Sequence, residues 1–498
     1  MIDKILQEER IEFNELEKEI YKHICEMGCK ILKYILEKAD EEIKENRDKK
    51  QYRHKGYKTD CIKSIMGEVE YKRGVYEIKE KGKKKYKFLL EEKIQINKIG
   101  KMSSNLCEKI LEIVCGSSYR KSSEIISSTS NQRVSHSGVR DIVLRAGKNI
   151  EDKEKEKAKL FKLGKLEKGN KEIPALFEEA DGLWISLQGR DKEKEIQKKR
   201  EKYEKEGKEF KEPKKAKSEL KIYVSYEGWK KEARHSLVEK QYITGFINTK
   251  ELKLIREAKL NERYNLEKIK MMVLNGDGAQ WIKQLALKDQ FYQKDSFHIT
   301  QAINRNIKDT EDKEKLKELI KNKEYSKINN FLEKLKYKVG GEEKEVNKIK
   351  QLQSYLKDGL ERYKDEVKDI PPAPEGMEFR NMGTCESQVF SVLTRRFSDR
   401  RMSFSRQGAT MLSKVVALKI ESKGKEILKQ IETPIKIDNS VEEWIEAIEK
   451  NIKKIGKDKT TKLKETSGIK VLKKPFEGIA LKEPFRVIRE LTSILPRL

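Results

Sequence analysis

Three acidic residues stand where a fixed backbone should meet an opening. Asp181 lies in the apolar stretch IPALFEEADGLWISLQG, between Ala180 and Gly182. Asp277 ends MMVLNGD, where Gly276 and Gly278 leave room for a ligand to approach the backbone. Glu386 opens the helical pattern of GTCESQVFSVLTRRFSDRR. A carboxylate at the end of an apolar strand is expensive to desolvate unless it is paired or holds a metal. Taken singly, each aspartate reads more readily as a turn residue capping the next helix, Asp277 in particular as an N-cap for AQWIKQLA. Taken together, three carboxylates on two strands and a helix can hold two Mg²⁺ ions about 3.5–4 Å apart, one activating a nucleophile and one stabilising the leaving oxygen, with Mn²⁺ as a substitute. Oxygen ligands suit such hard cations, and the five histidines are too scattered to make a zinc cage. Glu178 and Glu179 are rivals to Asp181, and on a strand Glu179 shares its face.

Directly after Glu386 come Arg395, Arg396, Arg400, Arg401 and Arg406, the densest arginine cluster in a chain that otherwise prefers lysine. The two-pronged guanidinium matches phosphate oxygens, so these residues are expected to contact DNA beside a metal-assisted phosphodiester site. Other chemistries find less support. There is no GxGxxG and no GxxxxGK[ST], which argues against nucleotide-driven chemistry. Six cysteines without a CxxC make no disulfide framework and point to a reducing cytosol. Cys25 and Cys29, one helical turn apart, read as a buried helix face.

The chain has 498 residues, with 113 Lys+Arg against 85 Asp+Glu, a formal charge of +28. Such a surplus favours a polyanionic partner. Much of it is lysine interleaved with glutamate, as in EDKEKEKAK, which a solvated helical surface also produces. Charged residues make up 40% of the chain, so the core must be economical. No stretch approaches the roughly 18 consecutive apolar residues of a membrane span. The start, MIDKILQEERIEFNELEKEI, has no leader features. A cytoplasmic, nucleoid-associated protein without membrane contact is expected.

These residues need elements to hold them. Residues 1–50 predict a long helix with Ile5, Ile11, Phe13, Leu16, Ile20, Ile24, Ile31, Leu32 and Ile35 on its apolar face. Residues 51–100 predict a small β region ending in the apolar YKFLL. Residues 101–150 predict three short helices, and Ser135, His136, Ser137 and Arg140 begin the last of them. That pattern fits a helix-turn-helix DNA reader or an ordinary helical hairpin. A charged helical linker at 151–170 precedes an α/β region at 171–308, in which strand, strand, strand, helix, strand implies a mixed sheet. Residues 190–219 form a charged insertion, 309–370 two helical hairpins, 371–420 a further part of the core that opens on the break PPAP and has one helical region at 383–420 bearing Glu386, and 421–498 a basic tail.

The order of EADGLWISLQ, LNGDGAQWI, DSFH and GTCESQVFSVLTRRF…MSFSRQGA, with RHKGYK, GEVEYKRGVY and VSHSGVR before them, resembles bacterial insertion-sequence transposases of the ISLre type. That group, formerly called an uncharacterised protein family, is allied to the Mutator-like DDE transposases. The resemblance spans about residues 50–420. It implies an RNase H-like catalytic domain with a helical insertion before the Glu, and a metal-binding catalytic triad of Asp181, Asp277 and Glu386. Asp295 and His298 match the C/D-x-x-H element that supports the site or touches DNA. Phe404 stands where the family carries Trp. The implied activity is Mg²⁺-dependent cleavage at the element's own terminal inverted repeats, then strand transfer into target DNA by a homodimer or larger assembly. The alternatives are an RNase H-like nuclease without strand transfer and an inactive DNA-binding derivative.

Overall fold

The computed structural model describes residues 12–422 apart from 81–82, 95–97, 233–235, 341 and 398–401, together with 427 and 428. The chain forms two compact units, divided between Ser103 and Ser104.

In the first unit, helix α1 (Phe13–Asn46) packs Leu36, Ala39 and Ile43 against Val69, Tyr71, Tyr76, Leu89 and Leu90. Among the described residues Cys25, Leu36, Ala39 and Ile43 are the buried apolar residues of this helix, while Phe13, Ile20 and Ile24 are exposed. Ile5 and Ile11 lie outside the described residues. Strands β1 (Arg53–Ser64) and β2 (Gly67–Glu80) form an antiparallel hairpin in which Ser64 faces Gly67 across a two-residue turn. Strand β3 (Lys83–Lys87) adds to β2. The expected apolar strand YKFLL instead breaks, and Leu89–Ile94 is helical. Leu89 and Leu90 are adjacent and both buried, which the alternating faces of a strand at a sheet surface do not permit.

The second unit opens with α2 (Ser104–Val114), α3 (Tyr119–Thr129) and α4 (His136–Lys162). Ser118 and Ser135 cap the latter two, accepting hydrogen bonds from Lys121 N and Gly138 N. The expected helical linker is the continuation of α4, which runs on to Lys162. Glu154 and Ala158, one turn apart, face inward, and Glu154 pairs with the buried Lys414.

The central sheet contains β4 (Ala175–Leu187), β5 (Lys217–Tyr226), β6 (Gln241–Gly245), β7 (Met271–Gly276) and β8 (Phe291–Lys294). Their spatial order is β6-β5-β4-β7-β8. The first three strands run as an antiparallel meander; β7 is parallel to β4, and β8 to β7. The insertion after β4 is helical at Gly189–Lys205 (α5). Helix α6 (Thr249–Arg263) makes the crossover and covers one face, where Leu252, Ile255 and Ala258 meet Ala180, Tyr223 and Leu274. On the other face Phe177 is ringed by Tyr226, Trp229, Tyr363 and Phe379, with centroids 5.1–5.8 Å away.

The region expected as two hairpins holds three long helices, α8 (Thr310–Lys321), α9 (Tyr325–Lys338) and α10 (Glu343–Tyr355). A fourth helix, α7 (Ser296–Asn306), joins this bundle; it starts at the end of β8 and contributes Ile299 and Ile303 to the same core as Leu316, Leu332 and Leu352. Residues 383–420 are not one helix. Cys385–Val389 is a short turn of helix, a π-helical stretch follows at Phe390–Thr394, and Ser403–Phe404 pairs parallel with Ser186 and Leu187. Helix α11 (Arg406–Glu421) then packs along α4, so closely that a side chain at Gly147 would collide with the Met411 backbone. Among the described residues no helix is long and apolar enough to cross a membrane.

Candidate metal centre

Asp181 leaves β4 on the face opposite α6, because it alternates with Ala180, which packs into the α6 core. Its side chain is 6% exposed, and Oδ1 accepts the Gly182 N–H at 2.6 Å. Glu386 comes from the short helix at Cys385–Val389, and His298 from the first turn of α7. Asp181, His298 and Glu386 each offer a ligand atom, and these atoms all lie within 4.8 Å of one another. Two carboxylates and an imidazole remote in sequence therefore converge on one point.

Asp277 falls outside that grouping, although its charge acts on both Asp181 and His298. It follows β7 directly. Its Oδ1 accepts the Ala279 N–H at 2.7 Å across Gly278, which adopts φ +92°, so the residue does form the turn that its sequence also allowed. It does not cap the next helix, whose N-cap position is Ala279. The insertion holds this turn in place. Tyr355, the last residue of α10, donates its hydroxyl to the Asp277 carbonyl at 2.8 Å. The buried Lys294 ties the same corner to the Tyr355 carbonyl and to Asp358, with Nζ 2.6 Å from Asp358 Oδ1.

The electrostatics favour a cation. Burial pushes the Asp181 carboxyl up to about 7, the charges of Asp277 and Glu386 push the same way, and the Gly182 N–H and His298 offset them only in part. His298 is raised above its ordinary value, first by its hydrogen bond to Asp295 and then, against burial, by the charges of Asp181, Asp295 and Asp277. Burial would raise Asp295, but hydrogen bonds and charge from His298 outweigh it and hold that carboxyl below its usual range. A site where burial and neighbouring negative charge both disfavour ionisation is short of positive charge. Its donors, two carboxylates and an imidazole nitrogen, fit Mg²⁺ or Mn²⁺, with the imidazole leaning toward the softer ion.

Neither rival of Asp181 faces an opening, and both are fully buried. Glu178 lies on the α6 side, where Arg256 Nε and Nη2 each donate to it at 2.6 Å. Glu179 accepts from the Tyr226 hydroxyl at 2.6 Å, Asn275 Nδ2 at 3.0 Å, and the Thr384 hydroxyl and N–H at 2.6 and 3.2 Å.

The arginines expected to line DNA are divided. Arg395 is exposed. Arg396 is not available to phosphate: it is 3% exposed, donates Nε to the Val114 carbonyl at 3.0 Å and lies over Tyr119 and Phe404. Arg406 is engaged within the protein by Glu195 and Ser218, each 2.8 Å from Nη2, and it stacks on Phe246. Arg400 and Arg401 lie outside the described residues. Phe404, at the position of the family's Trp, is 7% exposed and packs on Phe397, so it is not presented for stacking. Ser135, His136 and Arg140 are exposed at the start of α4, with Arg140 3.5 Å from Asp141.

Sequence reasoning passed over Asn275, Gln293 and Thr384. The signal was present: each stands two positions before an acidic residue singled out for the site, as Glu179 does before Asp181.

The model of an uncharacterised protein family, UPF0236, matches residues 6–214 and 203–432. Similar proteins include UPF0236 proteins of Caldanaerobacter subterraneus subsp. tengcongensis. One is 24% identical over 418 residues, covering 82% of this chain and 77% of its own length, and its name joins eleven locus tags. A second, whose name joins four, is 24% identical over 419 residues with the same coverage. A third is 24% identical over 419 residues and is covered over 73% of its length.

Proposed function

The chain belongs to the uncharacterised protein family UPF0236, and we propose that it is a DDE transposase acting on the ends of its own mobile element. The observation that carries this reading is the convergence of Asp181, His298 and Glu386 within 4.8 Å. Two further features support it. The strand order, an antiparallel meander followed by two parallel additions beside β4, agrees with our reading of the domain as RNase H-like. Candidate ligands sit on its first strand, just beyond its fourth and on a helix after the insertion, as DDE chemistry requires. A relative carried under eleven locus tags in one genome is also what a self-copying element would leave behind.

In this reading Asp181, Glu386 and His298 would hold one cation, and Asp277 would help to hold a second. The bound ions would activate water or a 3′-hydroxyl and neutralise charge on the scissile phosphate. The protein's part is positioning. Asp181 must give up its proton when the site is loaded, the Gly278 turn holds Asp277 at the strand end, and Asp295 orients the His298 ring. The exposed Ser135, His136 and Arg140 at the start of α4 would read or grip the terminal inverted repeats as the second part of a helix-turn-helix, and Arg395 would contact phosphate near the centre. Two ends must be held together, so a homodimer or larger assembly is the acting form.

The test is incubation with Mg²⁺ and DNA carrying the element's ends. Nicking at the ends followed by joining to a target supports transposition. Cutting without joining makes the protein a nuclease, and binding without cutting makes it a DNA-binding derivative. Asp277→Asn is expected to abolish cutting and retain DNA; normal cutting by that variant would overturn the site assignment.

A further inference from the structure

Glu179, Asn275, Gln293 and Thr384 stand two positions before Asp181, Asp277, Asp295 and Glu386 respectively. Two positions is one full repeat of a strand, so Glu179 and Asp181 leave β4 on the same side, while Asn275 and Gln293 are the penultimate residues of β7 and β8, whose ends Asp277 and Asp295 directly follow. The register lines three of them up: Asn275 lies opposite Glu179 on one side and opposite Gln293 on the other. Their side chains then join. Gln293 Nε2 donates to Asn275 Oδ1 at 3.2 Å, and Asn275 Nδ2 donates to Glu179 Oε2 at 3.0 Å. Glu179 Oε1 closes the row by accepting the Thr384 hydroxyl and N–H. At the far end Gln293 Oε1 accepts the Tyr363 N–H at 3.1 Å. The three sheet residues are at most 2% exposed.

We propose that this row is a positioning layer for the metal centre, with Glu179 as its hub. It rests on the reading of Asp181, His298 and Glu386 as a cation site. The layer stands two positions before Asp181, Asp277, Asp295 and Glu386, and Glu386 depends on it most. Glu386 lies outside the sheet, and Thr384 ties its segment to β4 through two hydrogen bonds to one carboxylate. The chemistry of each position follows. Asn275 and Gln293 carry both a donor and an acceptor and so pass the hydrogen-bond direction across two strands. Glu179 receives donors from three sides, which a carboxylate satisfies and an amide does not, because the NH₂ of a glutamine would face another donor.

The test is Mn²⁺ binding to the full chain, followed by the loss of the free-ion signal in electron paramagnetic resonance, with the melting temperature of each variant measured alongside. Thr384→Val and Glu179→Gln are expected to weaken Mn²⁺ binding about 10- to 100-fold, the range typical of residues that orient metal ligands. Thr384→Ser, which keeps the hydroxyl donor, should bind within a few-fold of the unaltered protein. Should Glu179→Gln fail to fold, the two Thr384 variants carry the comparison. Thr384→Val binding Mn²⁺ as the unaltered protein does, even with a lower melting temperature, would overturn the positioning role and leave the cation site standing. If the unaltered protein binds no Mn²⁺, or Asp181→Asn binds it equally well, the cation site itself is refuted and the layer loses its role with it.

Discussion

His298 Nδ1 lies 3.2 Å from Asp295 Oδ2, which leaves Nε2 as the nitrogen that can face Asp181 and Glu386. A ligating histidine held by a carboxylate in this way is fixed in tautomer and made more basic. An imidazole also changes which ion a site prefers, because nitrogen donors favour softer cations than oxygen donors do. His298→Ala is therefore expected to cost more Mn²⁺ affinity than Mg²⁺ affinity, and His298→Asp to shift the preference toward Mg²⁺. Calorimetric titration with each ion measures this; an unchanged ratio of the two affinities would remove His298 from the ligand set.

Asp181 sets the pH dependence. Burial and its acidic neighbours hold its folded-state value at about 7, against an ordinary 3.8. Without cation, the folded protein binds this proton more tightly than the unfolded chain does. The associated stability is therefore full below about pH 4 and is lost as pH rises through about 7, by at most about 4 kcal/mol. Asp181→Asn removes that slope. Urea unfolding in EDTA at pH 5 and pH 8 should show the unaltered protein losing more stability than the variant. Cation binding must expel the same proton, so Mn²⁺ affinity should climb up to about ten-fold per pH unit below 7 and level off above it.

How much of this was legible in the sequence depended on how local the signal was. Asp181 and Asp277 were visible because each follows an apolar run and precedes a glycine, although β4 runs on past Asp181 to Leu187 and only Asp277 stands at a strand end, and α6 was visible because its apolar residues recur at helical spacing. The fate of the arginines was not visible. Arg395 and Arg396 are adjacent and chemically identical, yet one is exposed and the other meets the Val114 carbonyl, which lies 282 positions away. EDKEKEKAK was legible as charged helix, but the inward turn of Glu154 was not, because it is decided by the distant partner Lys414. The polar row behind the site lay in plain view as E-x-D, N-x-D, Q-x-D and T-x-E, but its meaning rests on strand register, which no single segment carries.

Glu178 and Arg256 form a fully buried pair with two hydrogen bonds of 2.6 Å. Breaking such a pair by removing one partner leaves an uncompensated charge, so Arg256→Met should destabilise the protein by about 3–5 kcal/mol. Combining it with Glu178→Met should recover part of that loss; recovery is incomplete because Tyr223 and Gln290 also donate to Glu178. Equilibrium urea unfolding of the single and double variants gives the comparison. A double variant less stable than Arg256→Met would mean that the carboxylate, and not the pairing, is what the core requires.

Arg395 and Arg396 separate surface charge from packing within two adjacent residues. Arg395 is exposed, and if it contacts a phosphate in the complex its removal should free about one fewer counterion on binding. Arg395→Gln should then lower the salt slope of DNA affinity by about one, with little change in melting temperature. Arg396 is 3% exposed and held by the Val114 carbonyl, Tyr119 and Phe404. Arg396→Gln should leave the slope unchanged and lower the melting temperature, because the carbonyl loses a charged donor and the rings lose their stacking partner. Fluorescence anisotropy with end-bearing DNA at several salt concentrations, beside thermal melts, reads both effects. Were Arg396→Gln to reduce the salt slope while melting normally, the buried side chain would have to emerge when DNA binds, and its assignment to the core would be wrong.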